Sequence, residues 1–110
     1  MLDSKHCEPC KGGIPPLEEE QARSLLEQTP KWALIDDATK IRRRFAFDNF
    51  VESLDFVNGV GQLAEEEGHH PDITFGWGYA EVILYSHKIG GLHENDFIMA
   101  AKINQLPQIN

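Results

Sequence analysis

Long hydrophobic runs are missing from this chain. No stretch approaches the ~20 apolar residues that cross a bilayer, and the N-terminus lacks the basic-then-apolar pattern of a secretory signal. The expected location is the cytoplasm, with no membrane partner. Positive charge is scarce too: ten Lys plus Arg stand against eighteen Asp plus Glu, a formal charge of -8. Such a surface repels phosphate backbones, so nucleic acid is not an expected partner, and Arg42-Arg43-Arg44 is only a local exception. Both cysteines of the chain fall in "HCEPCKGG". A Cys-x-x-Cys pair in a reducing compartment fits a redox couple or half of a zinc site, but no second half follows. Residues 1–16 are therefore read as a flexible tail carrying two thiols, dispensable for any chemistry downstream, with a zinc held between chains as the alternative. Also absent are His-Glu-x-x-His, His-x-His, a Gly-x-Ser-x-Gly elbow and a phosphate-cradling glycine loop. Metal, hydrolase and nucleotide readings all lose support.

What is present suits one compact domain, since 110 residues with 41% hydrophobic content can bury a modest core. Gly12, Gly13, Pro15 and Pro16 mark the boundary between tail and domain, the latter taken as residues 17–110. "LEEEQARSLLEQ" then puts Leu17, Gln21, Ala22, Leu25 and Leu26 on one helical stripe, which Pro30 ends. Alternation of Trp32, Leu34, Ile41, Arg43, Phe45 and Phe47 about Asp36-Asp37 predicts a hairpin. Asn49 with Glu52 opens a second helix, whose expected stripe is Phe50, Leu54, Val57, Gly61 and Ala64 and whose stop is Gly68. Strands are expected at "DITFGW" and "AEVILYSHK", the latter with Ala80, Val82, Leu84 and Ser86 on one face and Glu81, Ile83, Tyr85 and His87 on the other. A last helix, "ENDFIMAAKINQL", has Glu94 and Asp96 in its first turn. The order is α-β-β-α-β-β-α. Hairpins between helices make an α+β two-layer domain, a four-stranded antiparallel sheet with helices packed on one face.

The stretch "EEEGHHPD", residues 65–72, sets two histidines side by side. In regular structure neighbours diverge, but Gly68 can cap the helix in a left-handed conformation while Pro71 forces His70 to be extended. Such a corner can aim both rings into one cleft. Glu65, one turn before His69, is close enough to orient an imidazole or take its proton. The alternative is that both histidines merely cap the helix C-terminus.

Reading on, the chain carries Glu-x3-His-His-Pro-x5-Trp-x9-His-x8-Asp, met by Glu65, His69, His70, Pro71, Trp77, His87 and Asp96. This pattern, with "FDNF" and "IGGL", resembles the pterin-4a-carbinolamine dehydratases from about Leu17 to Leu106. The resemblance implies a hydro-lyase that removes water from a 4a-hydroxytetrahydropterin, the product of an aromatic amino-acid hydroxylase, to give the quinonoid dihydropterin. It carries over His69, His70 and His87 as catalytic histidines and Glu65 and Asp96 as carboxylates that orient them. An imidazole, with a reference pKa of ~6.5, supplies acid or base near pH 7, so neither metal nor organic cofactor is demanded. Trp77 is read as core or interface packing and stays outside the catalytic set. Two departures stand out. Gly68 replaces the Asp or Asn many relatives carry, and His93 replaces a Ser or Thr N-cap, which should weaken the last helix by ~1 kcal/mol unless Asn95 or water substitutes. Edge strands and the apolar Ile83 and Tyr85 predict a homo-oligomer, dimer or tetramer. The rival reading is a protein-interaction module, a role that animal relatives also serve.

Overall fold

Residues 2–8 and 12–107 are described by the computed structural model of the chain. Cys10 lies outside them. The first helix, α1, spans Glu19–Leu26, two residues later than the stripe suggested. Glu18 starts it, donating its N–H to Gln21 Oε1 at 2.9 Å. Leu17, left outside, donates its own N–H to Leu92 O at 2.8 Å. The hairpin follows as β1, Ala33–Ile35, and β2, Lys40–Ala46, joined by a turn in which Asp36, Asp37 and Ala38 all have positive φ. Aspartate tolerates that left-handed region better than most residues.

The second helix, α2, spans Phe50–Glu67; Asn49 Oδ1 accepts the Glu52 N–H at 2.9 Å, and Gly68 ends the helix at φ 65. Its buried stripe is Ser53, Phe56, Val60 and Ala64; of the expected stripe Ala64 is buried and Val57 packs half-buried against the core, and the rest is corrected. Phe50 and Leu54 instead face outward with Val51. Two apolar stripes compete on this helix, and the sheet selects the one whose Phe56 ring meets Phe45 and Phe47, with centroids 4.4 and 5.3 Å away.

The second pair of strands is β3, Asp72–Gly76, and β4, Tyr79–Leu84. The antiparallel sheet runs β1-β2-β4-β3. Its register lines up Leu34, Ile41 and Leu84 in one row and Phe45, Ala80 and Phe75 in another, and these rows face the core. The other face carries Arg42, Arg44, Glu81 and Ile83. Trp77 falls in the β3–β4 turn and is 71% exposed, so it does not pack in this chain's core. Beyond Leu84, Ser86 bridges Gly91 and His87 opens a 3₁₀ turn, His87–Ile89, where a strand was expected. Gly91 is required here: a Cβ would stand 2.7 Å from Pro16 Cβ.

The third helix, α3, spans Glu94–Asn104 and is buried from Asn95 to Ala101 and again at Ile103. A helix buried so fully needs cover on more than its sheet side. Part of that cover is a 3₁₀ turn, Leu2–Ser4, packed on α3 with Leu2 in the core. The sequence had suggested no partner for these first residues.

Candidate active site

Gly68 turns the chain out of α2, and His69 donates its N–H back to Ala64 O at 3.2 Å. From there the backbone is extended, so successive side chains point opposite ways. His69 turns in, 8% exposed, and His70 turns out. Each finds its own carboxylate. His69 Nε2 meets Asp96 Oδ1 at 2.6 Å, a buried pair, and His70 Nε2 meets Glu65 Oε2 at 2.5 Å, an exposed one. The expected pairing of Glu65 with His69 is thus corrected. The inward turn removes His69 from the exposed face of α2 on which Glu65 stands.

Asp96 occupies the third position of α3 and is fully buried. A carboxylate taken out of water needs several donors. Ser86 Oγ donates to Oδ2 at 2.9 Å and the His93 N–H donates to the same oxygen at 3.0 Å, leaving Oδ1 for the imidazole. Position near the helix N-terminus adds a favourable dipole. With Nε2 bound to Asp96, the hydrogen-bond network places the His69 ring proton on Nε2. Nδ1 has no hydrogen-bond partner among the described residues, so it is the ring nitrogen left to exchange a proton, with a lone pair to offer whenever the ring is neutral.

His93 Nδ1 accepts the Asn95 N–H at 3.1 Å. The imidazole itself is the N-cap, so the expected weakening of the helix start is corrected. Sequence reasoning missed this because histidine rarely caps through Nδ1. It also missed Ser86, placed on the buried face of β4 by alternation; a buried hydroxyl at the end of a strand was a signal that a polar partner lay opposite. His87 is exposed, its ring 4.0 Å from the Tyr85 ring, and no hydrogen bond among the described residues joins it to His69 or His70. Its tie to the pair runs through Ser86, the preceding residue. Among the described residues no three His, Cys, Asp or Glu side chains gather as a metal site, and no helix is long and apolar enough to cross a membrane.

A buried imidazole–carboxylate pair where a helix turns into a sheet, with a second such pair on the adjoining surface, is a candidate acid–base site on an α+β scaffold. Residues 15–106 match the family model Pterin 4 alpha carbinolamine dehydratase, and the chain belongs to that family. It is 60% identical over 105 residues to a protein of Methylococcus capsulatus, covering 96% of this chain and 92% of that one. A protein of Rubrobacter xylanophilus is 55% identical, covering 96% and 97%. Both bear the name "Putative pterin-4-alpha-carbinolamine dehydratase". Among solved structures, a transcriptional coactivator/pterin dehydratase from Brucella melitensis superposes with a TM-score of 0.76 at 29% identity, covering 81% of this chain and 95% of its own. A pterin dehydratase-like protein, described as a RuBisCO assembly factor in the alpha-carboxysome, gives 0.59 at 26%, covering 70% and 89%.

Proposed function

We propose that the chain dehydrates a 4a-hydroxytetrahydropterin to the quinonoid dihydropterin and water by histidine acid–base chemistry. The observation that carries this reading is the Asp96–His69 pair, because it sets a tautomer. His69 Nδ1 is then a base for the proton on ring nitrogen 5. His70, held against Glu65, is the acid: it protonates the 4a hydroxyl as the C4a–O bond breaks, so one proton leaves N5, one joins the oxygen, and water departs. His87 completes the set by placing the pterin, in keeping with its exposed ring. Asp96 and Glu65 orient their histidines. The substrate of such an enzyme is made by an aromatic amino-acid hydroxylase, and the product returns to tetrahydropterin recycling in the cytoplasm.

The reading includes a homo-oligomer, dimer or tetramer. The exposed Phe50, Val51, Leu54 and Trp77, with open edges at β1 and β3, are surfaces that association would cover. A monomer in equilibrium sedimentation at micromolar concentration would refute that part. The same apolar surface favours, as second reading, an interaction module without turnover. One assay separates the two: purified protein is given freshly generated 4a-hydroxytetrahydropterin and the dehydration absorbance change is followed. Acceleration over buffer is expected; none would leave only the interaction module.

A further inference from the structure

Residues 2–8 tie together the two segments that bear His69 and Asp96. Beyond the Leu2 turn, Lys5 Nζ reaches Glu94 at 2.8 Å, and the backbone then passes between the start of α3 and the end of α2. Cys7 donates its N–H to Glu67 Oε1 at 2.8 Å. The next residue, Glu8, is bracketed by one carboxamide: its N–H donates to Asn95 Oδ1 at 3.0 Å, and Asn95 Nδ2 donates to Glu8 O at 2.7 Å. The Cys7 thiol donates to Asn95 O at 3.6 Å. Glu67 stands two residues before His69. Asn95 immediately precedes Asp96.

The Glu67 anchor is charged and nearly enclosed. Its side chain is 7% exposed, with the His6 ring at 3.1 Å and Lys102 Nζ at 3.7 Å. Burial pushes its carboxyl up, but the Cys7 N–H, His6 and Lys102 outweigh burial and hold it below the ordinary value. A carboxylate that stays ionised is a stronger acceptor for a backbone N–H than a neutral group. Burial first, and then Glu67, push the Cys7 thiol up to about 12. The sulfur is thus a neutral donor to Asn95 and not a nucleophile.

We propose that Glu67 and Asn95 are positioning residues for dehydration: through the strap of residues 2–8 they fix the end of α2 against the start of α3, and so hold His69 on Asp96. His69 lies beyond the helix cap, where backbone hydrogen bonds of α2 no longer set its place, and Asp96 belongs to another element. A 2.6 Å contact between them requires those two ends to be fixed to tenths of an ångström. The strap is bonded to both. This inference rests on the dehydratase reading only for its kinetic half.

The test uses full-length Glu67→Leu, Asn95→Ala and Leu2→Ser, with Glu67→Gln as the conservative partner. Measured are kcat, KM and the ¹H–¹⁵N resonance of His69 Nε2, which reports the bond to Asp96. Glu67→Leu and Asn95→Ala should lower kcat roughly tenfold or more, as misplacement of reacting groups by a fraction of an ångström does, with KM within about twofold. The His69 resonance should move with kcat. Leu2→Ser, remote from the pair, should act in the same direction, and Glu67→Gln, which keeps an acceptor for Cys7, should recover most of the loss. Variants that melt earlier yet keep kcat and the resonance would show a merely structural strap and overturn the inference, as would a rise in KM alone. If the unaltered protein does not turn over, the dehydratase reading falls, and the resonance decides the strap: moved sustains it, unmoved sinks it.

Discussion

Replacing Asp96 by asparagine changes one atom and should disable the base while sparing the fold. The two donors Ser86 Oγ and the His93 N–H converge on Oδ2, so the carboxamide oxygen belongs there and its NH₂ group faces His69. Two donors then meet where a donor and a carboxylate oxygen stood 2.6 Å apart. The ring either loses its partner or changes tautomer, putting its proton on Nδ1, and in both cases the oriented lone pair is gone. Losing an acid–base group slows a reaction by about 10² to 10⁴, or roughly 3 to 5 kcal/mol of barrier. The folding cost is smaller, about 1.5–3 kcal/mol for one charge-assisted hydrogen bond, and relief of a buried charge offsets part of it. Against a typical 5–15 kcal/mol of stability the variant stays folded. Alanine would strand all three partners and confuse loss of chemistry with loss of structure. Stopped-flow dehydration of fresh 4a-hydroxytetrahydropterin, with circular dichroism as the folding control, measures the effect. A folded Asp96→Asn protein with wild-type kcat would refute the role of this carboxylate.

The histidines themselves give the next test: His69→Ala and His70→Ala should each cost at least ~10² in rate while folding survives, whereas His87→Ala should act mainly on KM; an unchanged KM for the last contradicts its placing role. Gly68→Ala should lower stability by about 1–2 kcal/mol through the left-handed backbone alone, because a Cβ there meets nothing within 4 Å; a melting temperature unchanged from wild type would count against the cap. Glu67 sets a pH signature. Its folded-state carboxyl lies below the ordinary 4.5, so its contribution is fully present above pH ~4.5 and is lost as pH falls through the depressed value. The gap in unfolding free energy between wild type and Glu67→Gln should therefore close in acid, as the carboxylate facing the Cys7 N–H, His6 and Lys102 takes up its proton. A gap that widens below pH 4 contradicts this assignment.

Local signals and the tertiary fold divided the structure unevenly between them. Asn49, Gly68 and the alternation of Ala80, Val82, Leu84 and Ser86 act through hydrogen bonds and side-chain directions set within a few residues, so both ends of α2 and the buried face of β4 were legible in advance. The spacing from Glu65 to Asp96 likewise named the family, because a repeated chemical pattern survives in one dimension. The buried stripe of α2 was not legible. Two periodic apolar stripes share that helix, and only contact with Phe45 on β2 and Phe47 just beyond its end decides between them.

The same division holds at the site. Residue types at 65, 69, 70, 87 and 96 could be read from the chain, but their pairing could not, since Glu65 precedes His69 by one turn and a helix brings such residues together. Gly68 breaks that helix in between. Once the backbone is extended, His69 must face the core, where the carboxylate that meets it arrives from α3, twenty-seven residues on. The docking of Leu2, Cys7 and Glu8 was equally beyond local reading. The hydrogen-bond partners of Cys7 and Glu8 lie 60 to 88 residues away and the α3 packing of Leu2 is farther still, and no periodicity encodes a contact whose energy exists only when α3 is buried on more than one side. Sequence determined the elements and the chemical groups they carry, because those depend on neighbours along the chain; which carboxylate holds which histidine, and what clamps them, depended on burial that only the closed fold creates.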